Sequence, residues 1–299
     1  MSEPRHFITG TELRRDELIA VIDRAGEMKR ARRDGARPLE GQSVAIILEK
    51  PSTRTRASFQ VGIAELGGTP VVLRSDELQL ARGESARDTA LVFSRYFDAL
   101  VTRLAEHATI EELARYADVP VINALTPLHH PCQALADLMT LEERFGSLDG
   151  LRLAYVGDGN NVCHSLMLLG AAVGVEVAVA CPRELEPDEA IAKQAGDLVS
   201  IGNDPRAAAA GAHAIYADVW VSMGDEAEAD RRRGLLAPFR LDEDLLAAAR
   251  ADAIVLHCLP AHPGEEITEG LLYGERSAVW DQAENRLHAQ KALLERLLA

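Results

Sequence analysis

The chain has 299 residues, a formal net charge of −15 and 47% hydrophobic residues. This length allows two domains or one large one, and the apolar content supports buried cores and argues against disorder. The acidic balance disfavours nucleic acid as a partner, because proteins bind phosphate backbones through basic surfaces. An anionic substrate would therefore have to be bound by a local cluster of Arg and His side chains.

The chain contains 4 cysteines, and none of them forms a Cys-x-x-Cys pair. So few scattered cysteines in a chain of this size favour reduced thiols over a disulfide framework. Residues 1–11 lack the apolar core of a secretory signal, and no apolar stretch approaches the roughly 18 residues needed to span a bilayer. We therefore expect a soluble, cytoplasmic protein with no membrane partner.

In the first half of the chain, short apolar runs alternate with amphipathic segments. A surface helix is predicted over 13–33, and helices are predicted between the apolar runs that follow it. The runs that predict strands are 44–48, 70–73, 99–103 and 119–123. Their apolar residues do not alternate with polar ones, which is typical of parallel strands covered on both faces.

The second half repeats this alternation after a long helix predicted over 133–145. The strands predicted there are 151–156, 175–181, 198–201, 214–217 and 254–256. A last helix, over 283–298, is expected to pack back on the first domain. The sequence thus predicts an α/β protein of two doubly wound parallel-sheet domains with an active-site cleft between them. We place one domain at 1–146 with 283–299, and the other at 147–282.

Ser52-Thr53-Arg54-Thr55 follows the first predicted strand and begins a helix. The N–H groups and the positive dipole end of a helix N-terminus suit a phosphate dianion, and hydroxyl and guanidinium groups add donors. From the residues alone, an ordinary N-cap with solvated arginines remains the alternative.

Polar residues also follow five other predicted strands, at the carboxyl ends where open α/β sheets bind ligands. These residues are Arg103 with His107, the run 129–133, the run 157–161, Asp218 with 222–224, and the run 257–260. Together they predict one polar rim on each sheet.

Each of these groups has an alternative interpretation. The pairs His130/Cys132 and His257/Cys258 could be zinc ligands, but their spacing is poor for a structural site. Gly157-Asp158-Gly159 could begin a dinucleotide loop, but Val162 stands where the third glycine belongs.

Cys258 could be a nucleophile activated by His257, yet adjacent residues of a strand point to opposite faces. An inert core thiol is the other option for Cys258, and a turn or cap is the other option for Asp218. We interpret the run 231–233 as a solvated basic loop.

Taken in order, these motifs resemble those of the carbamoyltransferase family, and in particular its ornithine branch. The motifs are Ser52-Thr53-Arg54-Thr55-Arg56, His130-Pro131-Cys132-Gln133, Asp218 with Ser222-Met223-Gly224, His257-Cys258-Leu259-Pro260 and Asn285-Arg286-Leu287-His288-Ala289. They extend over nearly the whole chain.

The resemblance implies that the N-terminal half binds carbamoyl phosphate and the C-terminal half binds L-ornithine. The residues implied for carbamoyl phosphate are Ser52, Thr53, Arg54, Thr55, Gln79, Arg103, His130, Gln133, Leu259 and Arg286. Those implied for ornithine are Asn161, Asp218, Ser222 and Met223. Among these and Cys258, the implied catalytic residues are Thr55, Arg103, His130 and Cys258.

The family also forms trimers, in which a neighbouring subunit lends a loop residue to the carbamoyl phosphate site. Gln79 is our candidate for that residue, and we expect a homotrimer or a multiple of trimers. The implied reaction attaches the carbamoyl group to the δ-amine of ornithine and needs no metal and no cofactor. The alternatives are another acceptor (putrescine, an N-acylornithine or aspartate) or a non-catalytic anion-binding protein.

Overall fold

The computed structural model describes residues 5–32, 35–74, 78, 83–221 and 226–299. The chain divides into two compact units. The N-terminal unit consists of Met1–Met139 and Asn285–Ala299, and the C-terminal unit is Thr140–Glu284. Each unit is built on one parallel sheet with helices between its strands.

The N-terminal unit contains the sheet β2-β1-β3-β4, in which all pairs are parallel. Its elements are α1 (Arg15–Arg30), β1 (Ser43–Leu48), α2 (Thr53–Glu65), β2 (Thr69–Arg74), α3 (Ala86–Phe93), β3 (Ala99–Arg103), α4 (His107–Tyr116), β4 (Val121–Leu125) and the first part of α5 (Pro131–Phe145). The interiors of β1, β3 and β4 are buried, as the unbroken apolar runs predict.

The C-terminal unit contains the parallel sheet β7-β6-β5-β8-β9. Its elements are β5 (Arg152–Val156), α6 (Asn161–Val173), β6 (Glu176–Ala180), α7 (Glu189–Ala195), β7 (Val199–Gly202), α8 (Pro205–Ala209), β8 (Ala214–Ala217), α9 (Ala229–Leu236), α10 (Glu243–Leu246), β9 (Ile254–His257), α11 (Glu269–Leu272) and the start of α12 (Val279–Leu298). Every predicted strand is confirmed, with ends that differ by no more than two residues.

Helix α12 begins four residues earlier than the sequence predicts. Val279 is buried, and the side chain of Gln282 accepts the backbone N–H of His257 at 2.8 Å. These contacts anchor the first turn of the helix, and they are not visible as a local apolar pattern. Within the described residues, no helix is long and apolar enough to cross a membrane.

Each sheet has one point where the chain reverses the direction in which it adds strands. In the N-terminal unit this point lies between β1 and β3, where Leu48 is paired with Arg103. In the C-terminal unit it lies between β5 and β8, where Val156 is paired with Ala217. Ligands of open α/β sheets bind beyond the strand ends at such points, since the flanking loops leave in opposite directions and open a crevice.

Glu17 links three segments of the N-terminal unit. Its carboxylate, almost fully buried, accepts hydrogen bonds from Arg5 at 2.8 and 3.0 Å and from Arg296 at 2.6 Å. It also accepts the backbone N–H of Arg14, at 3.1 Å, where α1 begins. The bond from Arg5, followed by that from the Arg14 backbone, lowers the pKa of Glu17 well below its usual value.

Replacing Glu17 with Gln should lower the free energy of unfolding by about 1–3 kcal/mol at pH 7, because charged hydrogen bonds are lost. A carboxylate with a lowered folded pKa stabilises the fold fully above its unfolded pKa of about 4.3, and this stabilisation is lost as the pH falls toward the folded value. The difference in the free energy of unfolding between wild type and variant should therefore shrink below about pH 4. Urea unfolding at pH 7 and below pH 4 measures this difference.

Glu27→Gln is the matched control, because Glu27 makes an exposed ion pair with Arg24 at 2.8 Å. This control should change the stability by no more than about 0.5 kcal/mol. Equal losses in the two variants would contradict the structural role of Glu17.

Candidate active site

The Ser52–Thr55 motif lies where the sequence places it, at the start of α2. Ser52 is the N-cap residue, with extended backbone angles of −152° and 101°, yet its side chain makes no capping bond within the described residues. Thr53 and Arg54 are exposed, whereas Thr55 is fully buried. The hydroxyl of Ser52 is thus not used as an ordinary cap, which favours a ligand-binding role for this turn.

His130 is the centre of a cluster of positive charge. It is buried just before α5, and burial lowers its pKa well below the usual value. The charges of Arg286, Arg103 and Arg54 lower that pKa further. Burial and these three charges together keep the imidazole neutral at neutral pH, so it carries one N–H donor.

A line of hydrogen bonds connects the terminal helix with α2 and α5. The buried guanidinium of Arg286 donates to the hydroxyl of Thr55 at 3.2 Å and to the side-chain oxygen of Gln133 at 3.1 Å. Gln133 in turn donates to the carboxylate of Asp137 at 2.8 Å. The sequence predicts the first three residues but not Asp137, although its position one turn after Gln133 on α5 is the available signal.

A cavity of about 470 Å³ lies beside the first turn of α2. It is lined by residues from the ends of β1 and β2 and from α2, among them Glu49, Ser52, Thr53, Arg56, Gln60 and Arg74. The start of α2 is therefore accessible from this side of the N-terminal unit.

In the C-terminal unit, Asp218 follows β8, and its carboxylate accepts several hydrogen bonds. One carboxylate oxygen accepts the backbone N–H of Val219 at 2.8 Å and the thiol of Cys258 at 2.7 Å. The other oxygen accepts the side-chain amide of Asn160 at 2.7 Å. The structure thus brings Asp218 and Cys258 together, and it adds Asn160, a residue of the predicted polar rim for which the family resemblance implies no role of its own.

His257 and Cys258 point to different partners. The Nδ1 atom of His257 accepts the backbone N–H of Leu259 at 2.9 Å, and its Nε2 atom lies 3.2 Å from the buried carboxylate of Glu266. Cys258 instead faces Asp218. This geometry argues against a His–Cys nucleophile pair. Leu259 has a φ of 58°, so the bond from its N–H helps to hold an uncommon backbone conformation.

The two glycines of Gly157-Asp158-Gly159 are required by backbone conformation and by close packing. Gly157 has a φ of 138°, which favours glycine, and it ends β5 with a bond from its N–H to Ala180. A Cβ atom on Gly159 would lie 2.3 Å from the nitrogen of Pro187 and 2.6 Å from the carbonyl oxygen of Leu185. Both glycines are explained by the backbone, without a dinucleotide.

The prediction of a solvated basic loop over 231–233 is wrong for Arg232. These residues lie in α9, and the side chain of Arg232 is 11% exposed. It forms an ion pair with Asp158 and donates to the carbonyl of Trp220 at 3.0 Å. The acid partner lies 74 residues away in the chain, so local charge patterns do not indicate the pair.

Cys132 behaves as a core thiol. It donates to the carbonyl oxygen of Asn123 at 3.3 Å, and burial raises its pKa to about 12. Zinc binds the thiolate form of cysteine, so this environment argues against the zinc interpretation.

The predictions for Gln79, Ser222 and Met223 lie outside the described residues.

Two domain families match successive ranges of the chain, and the second range extends into the part of α12 that the structure assigns to the N-terminal unit. The carbamoyl-phosphate-binding domain of aspartate/ornithine carbamoyltransferases matches residues 5–143, and the Asp/Orn-binding domain of the same proteins matches residues 149–297.

The chain belongs to the aspartate/ornithine carbamoyltransferase family.

Its relatives in this family are similar over nearly their whole length. An ornithine carbamoyltransferase of Acidothermus cellulolyticus is 56% identical, with 98% of this chain and 96% of the relative covered. The solved structure of the enzyme from Pyrococcus furiosus has a TM-score of 0.94 at 46% identity, covering 99% of this chain and 97% of that one. The structure from Thermus thermophilus has a TM-score of 0.92 at 42% identity, with both chains fully covered.

Replacing Gly159 with Ala should destabilise the protein by about 1–3 kcal/mol, because the new methyl group overlaps backbone atoms that cannot move independently. Thermal or urea unfolding measures the change. Gly202→Ala is the control, since an added Cβ there meets no heavy atom within 4 Å in the described chain. Gly202→Ala should change stability by less than about 0.5 kcal/mol. Similar values for both variants would contradict the close packing at Gly159.

Proposed function

We propose that this chain transfers the carbamoyl group of carbamoyl phosphate to the δ-amine of L-ornithine, giving L-citrulline and phosphate. The observation that carries the proposal is the buried guanidinium of Arg286, hydrogen-bonded to Thr55 at the start of α2 and to Gln133, in a chain whose residues 5–143 match the family's carbamoyl-phosphate-binding domain. Ornithine as the acceptor is supported by the relatives, which are named ornithine carbamoyltransferase at 48% to 56% identity.

The phosphate would be held at the start of α2. Ser52, Thr53, Arg54 and Thr55 offer hydroxyl groups, backbone N–H groups and one guanidinium at a positive helix end. The guanidinium groups of Arg103 and Arg286, whose charges act on His130, would add to the positive charge there. This local charge would bind a dianion although the whole chain is acidic.

Catalysis would depend on positioning and on stabilising the negative charge that develops on the carbonyl oxygen. Thr55, Arg103 and His130 are the proposed donors to that oxygen, and each preorganised donor is worth roughly 3 kcal/mol of the barrier. Because His130 is neutral, it would donate an N–H without first gaining a proton. Gln133 would contact the carbamoyl group, oriented by its bond to Asp137.

Ornithine would be bound in the C-terminal unit. Asp218 would accept the α-ammonium group, and Cys258, bonded to Asp218, would help to orient the δ-amine. Asn161, the first residue of α6, is the proposed contact for the α-carboxylate end. The reaction as proposed proceeds by direct attack of the neutral amine on the carbonyl carbon.

Further expectations belong to the same proposal. They are a homotrimer to which Gln79 contributes across subunits, contacts of Leu259, Ser222 and Met223 with substrate, and a cytoplasmic location. The first two rest on the family resemblance, and the cytoplasmic location rests on the sequence patterns described above. The P. furiosus relative is named as anabolic, and we propose the same direction, toward arginine, for this chain.

A colorimetric citrulline assay with purified protein tests the proposal. We expect carbamoyl phosphate and L-ornithine to give citrulline, and putrescine, N-acetylornithine and aspartate to give at most a few per cent of that rate. A faster rate with any of the other amines would replace the acceptor. Binding of carbamoyl phosphate without any carbamoylated product would favour the non-catalytic alternative.

Two substitutions should separate the two substrates. Arg54→Ala should weaken carbamoyl phosphate binding at least tenfold, because a charged contact to phosphate is lost. Asp218→Asn should instead raise the KM for ornithine at least tenfold and leave carbamoyl phosphate binding within about twofold. Calorimetry for the first substrate and steady-state kinetics for the second give these values.

The two control variants each remove one charge at a residue outside the proposed substrate sites. Arg32→Ala removes an arginine that pairs with Glu65 at 3.0 Å in the N-terminal unit, and Asp204→Asn alters a helix cap in the C-terminal unit. Both should retain wild-type kinetics. If Arg54→Ala and Asp218→Asn affect both substrates equally, the assignment of one substrate to each unit is wrong.

A further inference from the structure

We propose that Asn160 is a positioning residue that sets acceptor specificity by fixing the Asp218 carboxylate for an α-ammonium group. The inference rests on the proposed function, in which Asp218 binds the α-amino end of ornithine. It adds the claim that discrimination in favour of α-amino acids depends on an asparagine that need not touch the substrate.

The orientation of the Asn160 amide is determined by its neighbours. Its side-chain oxygen accepts the backbone N–H groups of Val162 at 3.0 Å and Cys163 at 3.2 Å, and so caps α6. Its side-chain nitrogen donates to Asp218 at 2.7 Å. A flipped amide would place its NH₂ group against two N–H donors and its oxygen against a carboxylate, so the cap fixes which end faces Asp218.

Tyr155 reinforces this orientation from inside the sheet. Its hydroxyl donates to the side-chain oxygen of Asn160 at 3.0 Å, and its buried ring stacks on Tyr216, with ring centroids 5.7 Å apart. Burial, and then the negative charge of Asp218, raises the pKa of Tyr155 well above its usual value. The hydroxyl therefore stays protonated and remains a donor.

The position of these residues in the sheet explains why Asn160 can reach Asp218. Tyr155 and Tyr216 are paired across β5 and β8, the strands between which the sheet changes direction. Asn160 follows β5, and Asp218 follows β8. Two adjacent strand ends thus join through one side-chain bond, and that bond fixes one oxygen of the carboxylate.

An ordered Asp218 carboxylate matters most for a ligand whose ammonium group binds to it. Without the Asn160 donor, the Asp218 side chain would keep its bonds to Val219 and Cys258 on one oxygen only. The carboxylate could then swing about that one bonded oxygen, and binding would have to include the cost of ordering it. An amine that lacks the α-amino group would not be affected.

Two substitutions of Asn160 separate its role as the N-cap of α6 from its role as a donor to Asp218. Asn160→Ser keeps a good N-cap residue and removes the amide that reaches Asp218. Asn160→Asp also keeps a cap, but it places a carboxylate oxygen where the donor was. Tyr155→Phe leaves Asn160 in place and removes only the hydroxyl that orients it. Asp188→Asn is the matched control, because Asp188 caps α7 in the same unit with bonds to Ala190 and Ile191.

The experiment uses the full chain and measures citrulline kinetics, carbamoyl phosphate binding and thermal unfolding. It also measures inhibition by two analogues, L-norvaline, which lacks the δ-amine, and 5-aminopentanoate, which lacks the α-amino group. In Asn160→Ser we expect the KM for ornithine and the Ki of norvaline to rise at least tenfold, with a larger effect in Asn160→Asp. Tyr155→Phe should give a smaller rise of the same kind.

The other readouts should stay close to wild type. These are the Ki of 5-aminopentanoate, the affinity for carbamoyl phosphate, and all kinetic values of Asp188→Asn. A KM for ornithine within twofold of wild type in Asn160→Ser, or an equal rise in Ki for both analogues, would overturn the positioning role. If the wild-type protein forms no citrulline, it is the proposed function that fails, and this inference falls with it.

Discussion

Both units depend on one constraint, which is that a parallel sheet covered on both faces can place polar side chains only at its edges and strand ends. The described strands have buried interiors, with the exceptions of the edge strands β2 and β7. Function is therefore confined to the loops at the carboxyl ends. The loops beside each change of direction, after β1 and β3 in one sheet and after β5 and β8 in the other, carry most of the candidate residues.

The first of these regions shows how an acidic protein can bind an anion. Burial removes the charge from His130 while the surrounding arginines keep theirs, so the region combines fixed positive charge with a neutral donor. The line from Arg286 through Gln133 to Asp137 holds the guanidinium in place from behind. A charged group fixed in advance loses less entropy on binding than a mobile surface arginine would.

The sequence was sufficient for the fold class and for every strand, and it placed the Ser52–Thr55 motif at the start of α2. The apolar runs mark the strands because a doubly covered sheet buries most of its side chains, and motifs mark the turns that follow. It was not sufficient for Asn160, Glu266 or Arg232, which act on another side chain or on the backbone. Their partners are set by strand order and by long-range packing, so no local pattern around Gly157-Asp158-Gly159-Asn160 indicates the bond from Asn160 to Asp218.

The donors around Asp218 have a consequence for how this family could change its acceptor. If the buried carboxylate were exchanged for an apolar group suited to a diamine, the partly buried amide of Asn160, N–H of Val219 and thiol of Cys258 would lose their common acceptor. The loss of each of these hydrogen bonds costs about 0.5–1.5 kcal/mol. A new acceptor class would thus require coordinated replacement at two or more of these sites, and single substitutions along that route would pass through less stable intermediates.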